Sequence, residues 1–306
     1  MKIIVTGGAG FIGSHIVDAY IKRGHRVCII DNLATGNRKN LNTKAKFYKA
    51  DIRDGKEVER IFKKERPHVV SHHAAIASVA LSLRDPLAIL NTNVLGTASV
   101  ARAFGLYGRG KKKFIFASTG GVMYGNPKKL PANEKTPAAP TDPYGLSKVL
   151  GERVITFYAR EFAFSYLALR YSNVYGPRQN PKGEAGVVAI FGELMLRRKQ
   201  PTIFGDGTKT RDYLYVQDIV RANVSGLSRG KDDVLNLGRG IAVKDIDIFR
   251  AVASETAFRK PPRYAPFRKG EVRRISLDAK KAGRVLRWRP EVSLEEGIHR
   301  TIQTLR

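Results

Sequence analysis

Short apolar runs alternate with amphipathic stretches through the first half of the chain. Alternation of buried strands with amphipathic helices is typical of a doubly wound parallel sheet. The pattern predicts a helix over residues 12–22, helical segments around 87–104, and a helix that begins at Pro143 with Thr141 or Asp142 as its N-cap. It predicts strands at residues 3–6, 26–31, 46–50, 69–71, 113–118 and 164–170.

The pattern changes after about residue 175, where Gly and Pro interrupt shorter elements. We therefore divide the chain into residues 1–175, which carry the sheet, and residues 176–306, which mainly form a smaller region that covers a substrate. No repeat or flexible linker separates the two parts, so some segments of the second are expected to return to the first. The sequence thus predicts an α/β protein that packs as one unit.

A glycine-rich turn, Thr6-Gly7-Gly8-Ala9-Gly10-Phe11-Ile12-Gly13, directly follows the first predicted strand. Between a strand and a helix, such glycines let the backbone approach a pyrophosphate, whose charge then lies at the helix N-terminus. Asp31 ends the second strand, where its carboxylate can accept hydrogen bonds from ribose hydroxyls and would repel a 2′-phosphate. These features predict a Rossmann-type site for NAD, with Asp51 and Ile52 beside the adenine.

A second motif, Tyr144-Gly145-Leu146-Ser147-Lys148, begins the helix at Pro143. Tyr and Lys four residues apart share one helix face, so the ammonium can favour ionisation of a phenol whose ordinary pKa is about 10. Ser118 and Thr119 end the fifth strand, at the edge where open α/β sheets bind ligands. We expect their hydroxyls to share the proton of a substrate alcohol with Tyr144, the general base.

The chain carries 55 Lys and Arg against 27 Asp and Glu, a formal net charge of +28. Such a field attracts anions and brings nucleic acid into consideration as a partner. The basic residues are spread along the chain, however, and zinc-finger spacing, RNP-type aromatic motifs and a basic arm are absent from the sequence. Specific nucleic-acid binding is therefore not expected, and the charge is interpreted as a solvated surface that helps to attract an anionic substrate.

Cys28 is the only cysteine, so no disulfide can form within the chain, and a reducing, cytoplasmic location is expected. Charged residues interrupt every apolar stretch before it reaches the roughly 18 residues of a spanning helix, so no membrane association is expected. His72 and His73 lack the spaced partners that would indicate a metal, and no metal site is expected.

The motifs together resemble the extended short-chain dehydrogenase/reductase family and, within it, the UDP-glucose 4-epimerases. The resemblance runs nearly from end to end. It is carried by the two motifs above and by further segments, namely Asp31-Asn32-Leu33, His72-His73-Ala74-Ala75, Asn93-Val94-Leu95-Gly96-Thr97, Ser118-Thr119-Gly120-Gly121, and residues 170–179, 204–207 and 211–213.

The resemblance implies a role for each of three groups of residues. The catalytic group is Tyr144, Lys148, Thr119 and Ser118. The NAD contacts are Gly7, Gly10, Phe11, Ile12, Gly13, Asp31, Asn32, Asp51, Ile52, Ala74, Asn93, Tyr144 and Lys148. The contacts to the UDP part of the substrate are Asn173, Val187, Phe204, Arg211, Arg268 and Glu271. Two arginines suit a diphosphate, and Glu271 can accept from ribose hydroxyls. Ile275 takes the position that influences tolerance of N-acetyl sugars in the family.

Enzymes of this family begin with oxidation at C4 of a nucleotide sugar. Dehydratases carry an Asp-Glu pair immediately after the catalytic Thr and decarboxylases a nearby Glu, whereas Gly120 and Gly121 stand here. The resemblance therefore implies an epimerase that interconverts UDP-glucose and UDP-galactose with tightly bound NAD. An N-acetylated UDP-sugar epimerase, a decarboxylase or a dehydratase stays open as an alternative, and a nucleic-acid-binding protein of this fold is the remote one. Relatives dimerise through helices that correspond to residues 91–104 and 144–160, which implies a homodimer.

Overall fold

The structure is a computed structural model, and it describes residues 1–181, 186–268 and 270–306. Its strands are β1 (Lys2–Thr6), β2 (Arg26–Asp31), β3 (Lys46–Lys49), β4 (Val69–His72), β5 (Lys113–Thr119), β6 (Ser165–Tyr171), β7 (Asn173–Tyr175), β8 (Thr202–Phe204), β9 (Thr210–Arg211), β10 (Tyr213–Tyr215), β11 (Asp233–Leu237), β12 (Val243–Lys244) and β13 (Arg263–Ala265).

Helices cover both faces of the sheet and build most of the second region. They are α1 (Phe11–Lys22), α2 (Gly55–Glu65), α3 (Val79–Arg84), α4 (Pro86–Leu90), α5 (Gly96–Tyr107), α6 (Pro143–Glu161), α7 (Val187–Leu196), α8 (Val216–Gly226), α9 (Asp245–Thr256), α10 (Lys280–Leu286) and α11 (Leu294–Gln303). A π-helical turn, Asn91–Leu95, joins α4 to α5, and a 3-10 turn spans Arg38–Asn40. No helix within the described residues is long and apolar enough to cross a membrane.

A seven-stranded sheet forms the centre of the molecule, in the order β11-β6-β5-β4-β1-β2-β3, with all neighbours parallel. The predicted doubly wound parallel sheet is therefore confirmed. Strand order reverses between β1 and β4, and ligands of such sheets bind at the carboxyl ends of the strands beside this reversal. β11 comes from the second part of the chain and completes the sheet beside β6.

Alternate residues of each central strand enter two separate cores, as the pleat of a strand requires. Ile3 and Val5 of β1 pack on one face with α1 and α8. Ile4 packs on the opposite face, in the cluster that includes Phe114 and Phe116 of β5. A third core joins α7, α9 and α11 in the second region. Both faces are thus covered, which leaves the carboxyl edge of the sheet for binding.

The predicted strand ends agree with the structure to within one or two residues. The pattern missed α2, whose few buried residues, among them Val58 and Ile61, stand among charged ones. The helical segment around 87–104 consists of α4, the π-helical turn and α5. Asp142, not Thr141, caps α6 by accepting from the Gly145 N–H at 2.8 Å.

Candidate active site

One continuous cavity of about 1790 Å³ brings together the residues that the sequence assigned to cofactor and substrate. A typical site for one small molecule measures roughly 300–1,000 Å³, so this cavity has room for two ligands. Its wall includes the glycine turn, Asp31 and Tyr144 from the first part of the chain. The second part contributes Arg211 and Arg268 to the same wall.

The glycine turn between β1 and α1 depends most strongly on two positions that lack side chains, Gly7 and Gly13. Gly7 has φ of +71°, and a Cβ there would lie 2.6 Å from the Ala74 nitrogen. A Cβ at Gly13 would lie 2.2 Å from the Gly7 oxygen, so the helix packs directly on the turn. At Gly10 a Cβ would meet only that same oxygen, at 3.2 Å. No side chain caps α1, so its first N–H groups are available to an anion in the cavity.

The Asp31 carboxylate is buried at the end of β2, in the cavity wall. Its two oxygens accept from the backbone N–H groups of Ala9, at 3.0 Å, and Leu33, at 2.8 Å. A Cβ at Gly36 would lie 2.9 Å from Asp31 Oδ1, so the chain folds closely around the carboxylate. Each oxygen keeps a lone pair for a ribose hydroxyl, while a phosphate would meet both charge and crowding. Together with the uncapped start of α1, these residues fit NAD.

Asn32, Asp51 and Ile52 line the same part of the cavity. Asp51 accepts from the Asn32 amide at 2.9 Å and from the Arg53 guanidinium. Hydrogen bonds from Arg53 hold the pKa of Asp51 below its usual range. Asp51 is therefore charged and locally compensated, and Ile52 offers an apolar surface beside it.

Tyr144 lies at the start of α6, and Thr119 at the end of β5 lies close enough to its hydroxyl to influence its pKa. Burial, and next the charge of Asp142, raise the pKa of Tyr144 to about 12, although the nearby Thr119 hydroxyl lowers it. The phenol of the protein alone is therefore protonated at neutral pH. The predicted lowering of its pKa by Lys148 is not seen, because burial dominates.

Lys148 is one turn further along α6 and is buried. Its ammonium donates to the Ala117 carbonyl at 2.8 Å and lies 5.0 Å from the centre of the Phe116 ring. Burial lowers the pKa of Lys148 to about 8, against the opposing charge of Glu152. Lys148 is thus held in place by β5 and keeps its positive charge at neutral pH.

Ser118 and Thr119 do not act as a pair. Adjacent residues of a strand face opposite sides, and the Ser118 hydroxyl donates to Glu152 Oε1 at 2.6 Å. The Arg170 guanidinium donates a hydrogen bond to each oxygen of the Glu152 carboxylate, at 2.9 and 2.7 Å. Thr119 therefore lies beside Tyr144, while Ser118, which also lines the cavity, directs its hydroxyl to Glu152. Sequence reasoning missed Glu152, although it stands one helical turn after Lys148.

Asn93 is buried in the π-helical turn and is not among the residues that line the cavity, so the cofactor contact expected of it stays a prediction. Its amide nitrogen donates to the Ile76 carbonyl at 3.0 Å and to Ser147 Oγ at 2.9 Å. Its oxygen accepts from the Ile76 N–H at 2.8 Å. Both donors and the carbonyl are thus used within the protein, and they fix the segment after Ala74 against α6.

Most of the substrate residues come from the second part of the chain, while Asn173 stands in β7 near the end of the first part. The buried Arg211 donates to the Thr210 carbonyl at 2.9 Å, and Arg268 lies 3.7 Å from the centre of the Phe204 ring. Asn173 Oδ1 is buried and has no hydrogen-bond partner among the described residues. Two cations and a free acceptor suit a diphosphate joined to a hydroxylated sugar. Val187 and Glu271 line the cavity with them.

Two predicted positions lie away from the ligand-binding surface. Ile275 is buried in a small apolar cluster with Val272 and Leu277, and it does not form part of the cavity wall as the resemblance implied. His72 lies between the hydroxyls of Thr6, at 2.6 Å, and Thr97, at 2.9 Å. Across residues 1–181, 186–268 and 270–306, no group of His, Cys, Asp and Glu side chains could hold a metal ion.

This geometry agrees with the relationships of the whole chain. The sequence profile described as the NAD dependent epimerase/dehydratase family matches residues 3–238. The chain belongs to this family. Its relatives include a UDP-glucose 4-epimerase of Mycolicibacterium smegmatis, 39% identical over 312 residues, which cover 100% of this chain and 99% of the relative.

Two solved structures of UDP-glucose 4-epimerases have folds closely similar to that of this chain. A UDP-glucose 4-epimerase from Thermotoga maritima with UDP-glucose has a TM-score of 0.97 and 48% identity, covering 99% of this chain and 98% of that one. The Thermus thermophilus UDP-glucose 4-epimerase in complex with NAD has a TM-score of 0.94 and 41% identity, covering 100% and 99%. The family members thus bind the two ligand types for which this cavity has room.

Proposed function

We propose that the chain interconverts UDP-glucose and UDP-galactose by reversible oxidation at C4, with NAD held throughout the cycle. The observation that carries this proposal is the Tyr144–Thr119 pair in the wall of one cavity, together with the glycine turn and two arginines. The relatives named UDP-glucose 4-epimerase support the same reaction.

Arg211 and Arg268 would hold the diphosphate, so the sugar stays tethered when its C4 is oxidised. Thr119 would donate to or accept from the C4 hydroxyl and direct it to Tyr144, which takes its proton. The Lys148 ammonium would favour the phenolate that this transfer requires only together with bound NAD, because it does not lower this pKa in the protein alone. Bound NAD supplies the group that exchanges hydride with C4, and its positive charge offsets the burial that raises the pKa of Tyr144.

Epimerisation also requires that C4 present both of its faces to the same site. A tether through the UDP part allows the oxidised sugar to turn while Arg211 and Arg268 keep their contacts. Asn173 Oδ1 offers an acceptor for a sugar hydroxyl, since it has no partner among the described residues. The same tether would keep the keto sugar from being lost to water before hydride returns to it.

The residues after Thr119 distinguish this reaction from dehydration. A Cβ at Gly120 would lie 2.4 Å from Leu277, so an acidic side chain has no room there. A Cβ at Gly121 would lie 3.1 Å from Asn173 Oδ1 and 3.8 Å from Thr119 Oγ1, beside the reacting group. Elimination needs an acid at this place, and neither glycine can supply one. This observation favours simple epimerisation over the dehydratase and decarboxylase alternatives.

The test is to incubate the purified protein separately with UDP-galactose, UDP-glucose and their N-acetyl forms, and to separate the products. We expect conversion between the first two without added NADH. A 4-keto-6-deoxy sugar as product, or release of CO₂ and a UDP-pentose from UDP-glucuronate offered as a further substrate, would overturn the proposal. If the protein converts only the N-acetyl forms, it is an N-acetylated UDP-sugar epimerase instead.

We also propose that two copies associate through α4 to α6. The support is apolar surface on these helices: Leu87, Leu95 and Phe157 are 74%, 63% and 62% exposed. Leu146 and Leu150 are exposed on α6, one turn apart. Such a patch is typical of a protein interface. Light scattering should give about twice the 34.0 kDa chain mass, and Phe157→Glu should shift the protein to monomer.

A cytoplasmic location is also proposed. Cys28 is buried, and burial raises the pKa of its thiol to about 12, so it is an inert thiol with no disulfide to form within the chain. We do not propose specific nucleic-acid binding, because the UDP-sugar that would bind in the cavity is itself an anion that the positive field attracts.

A further inference from the structure

Lys209 is a buried cation in the cavity wall, and sequence reasoning gave it no role. Its ammonium lies 2.8 Å from Glu271 Oε2 and 3.2 Å from Asp245 Oδ2. The side chain is 9% exposed, against 4% for Asp245 and 18% for Glu271. The ammonium therefore joins two acids of the cavity wall, of which Glu271 is the more exposed.

Asp245 is the fixed end of this arrangement. Its N–H donates to the Lys209 carbonyl at 3.0 Å, and its Oδ1 accepts from the Tyr213 hydroxyl at 3.4 Å. It lies at the start of α9, where a negative charge is favourable. Asp245 therefore holds Lys209, and Lys209 in turn holds one oxygen of Glu271.

Glu271 Oε2 pairs with the Lys209 ammonium, and this contact fixes the orientation of the carboxylate. The other oxygen has no hydrogen-bond partner within the described parts of the chain. A carboxylate only accepts hydrogen bonds, so its ligand must bring a donor. A diphosphate brings none and would be repelled. Glu271 stands close in sequence to Arg268, which lies on the Phe204 ring. The part of a nucleoside diphosphate that offers neutral donors beside such a base-stacking surface is the ribose, through its hydroxyls.

We propose that Lys209 is a positioning residue, which holds Glu271 so that its free oxygen accepts the ribose 2′-hydroxyl and the site selects ribonucleotides over 2′-deoxyribonucleotides. This inference rests on the proposed function, since it assumes that the cavity binds a nucleoside diphosphate sugar. Without the ammonium, Glu271 loses its orientation and faces Asp245 as a like charge. The selectivity should then disappear.

The experiment measures the binding of UDP and of 2′-deoxy-UDP to the full-length protein by calorimetry. We expect the wild type to prefer UDP about tenfold or more, the worth of one hydrogen bond to a charged acceptor. Lys209→Gln should bind UDP about tenfold more weakly and 2′-deoxy-UDP almost as before, so that the ratio approaches one. Lys209→Arg keeps the charge and should restore part of the preference. Lys244→Gln, the same change at an exposed lysine nearby, should leave the ratio unchanged.

A purely structural role for Lys209 would weaken both ligands equally, and that outcome would overturn the inference. A tenfold preference retained in Lys209→Gln would do the same. If melting curves show that Lys209→Gln does not fold, Lys209→Gln with Asp245→Asn removes the unpaired acid and allows the same comparison. A wild type that binds UDP without turning over UDP-glucose contradicts the proposed function and leaves the selectivity result to be judged separately.

Discussion

Replacement of Glu152 by Gln tests the buried network behind the catalytic residues. The carboxylate accepts two hydrogen bonds from Arg170 and one from Ser118, and the two charged side chains are only 10% and 12% exposed. Removing one partner of a buried ion pair costs about 3–5 kcal/mol, because the other charge stays buried. With an unfolding entropy of about 2.1 cal/mol/K per residue, this chain of 306 residues should lose roughly 5–8 °C in Tm.

The same variant has a kinetic consequence. Burial lowers the pKa of Lys148 to about 8, and Glu152 opposes that effect, so its removal lowers the pKa further. An ammonium is charged only below its pKa, so the alkaline fall in turnover should begin at a lower pH in Glu152→Gln. The assays are differential scanning calorimetry and the pH profile of kcat, with Glu161→Gln at the end of α6 as the control. A fall in Tm of less than about 2 °C, or an unmoved alkaline limb, would refute the reasoning.

Three further predictions concern the base, the cofactor and the surface charge. Tyr144→Phe should keep its NAD and UDP-sugar binding and lose at least roughly 100-fold in kcat, and near-normal turnover would remove Tyr144 from its role. Asp31→Ser should weaken NAD binding and reduce the preference for NAD over NADP. Wild-type protein isolated with bound NADP would contradict the assignment of NAD selectivity to Asp31. DNA or RNA should associate only weakly and without sequence preference at low salt, and should be released by about 0.2 M salt while turnover is mostly retained. Submicromolar, sequence-selective binding at physiological salt would show that the surface charge has a second function.

The residues whose roles followed from the sequence are those whose positions depend on local geometry. The glycine turn follows directly after β1, and a strand followed by a helix places its backbone at the carboxyl edge of the sheet. Asp31 ends β2 and Thr119 ends β5 at that same edge of the sheet. Tyr144 and Lys148 are four residues apart in one helix, so they share a helix face independently of the rest of the fold. Continuous apolar runs likewise indicated which strands are buried on both faces.

Other roles depended on contacts between distant segments or on side-chain direction. Ser118 and Thr119 look equivalent in the sequence, but strand alternation sends one hydroxyl to Glu152 and the other to Tyr144. Lys209 meets Glu271 only because short strands and loops bring residues 62 apart together. The pKa of Tyr144 also escaped prediction, since burial and the charge of Asp142 raise it and sequence spacing does not reveal the burial.

In the proposed reaction, the hydrogen removed from C4 returns to the same carbon within one closed site. UDP-glucose labelled with deuterium at C4 tests this most directly, with the product analysed by nuclear magnetic resonance and mass spectrometry. We predict UDP-galactose that retains the label at C4, formed without exchange into water and abolished in Tyr144→Phe. Loss of the label to solvent, or a product in which C4 stays oxidised, would contradict this mechanism.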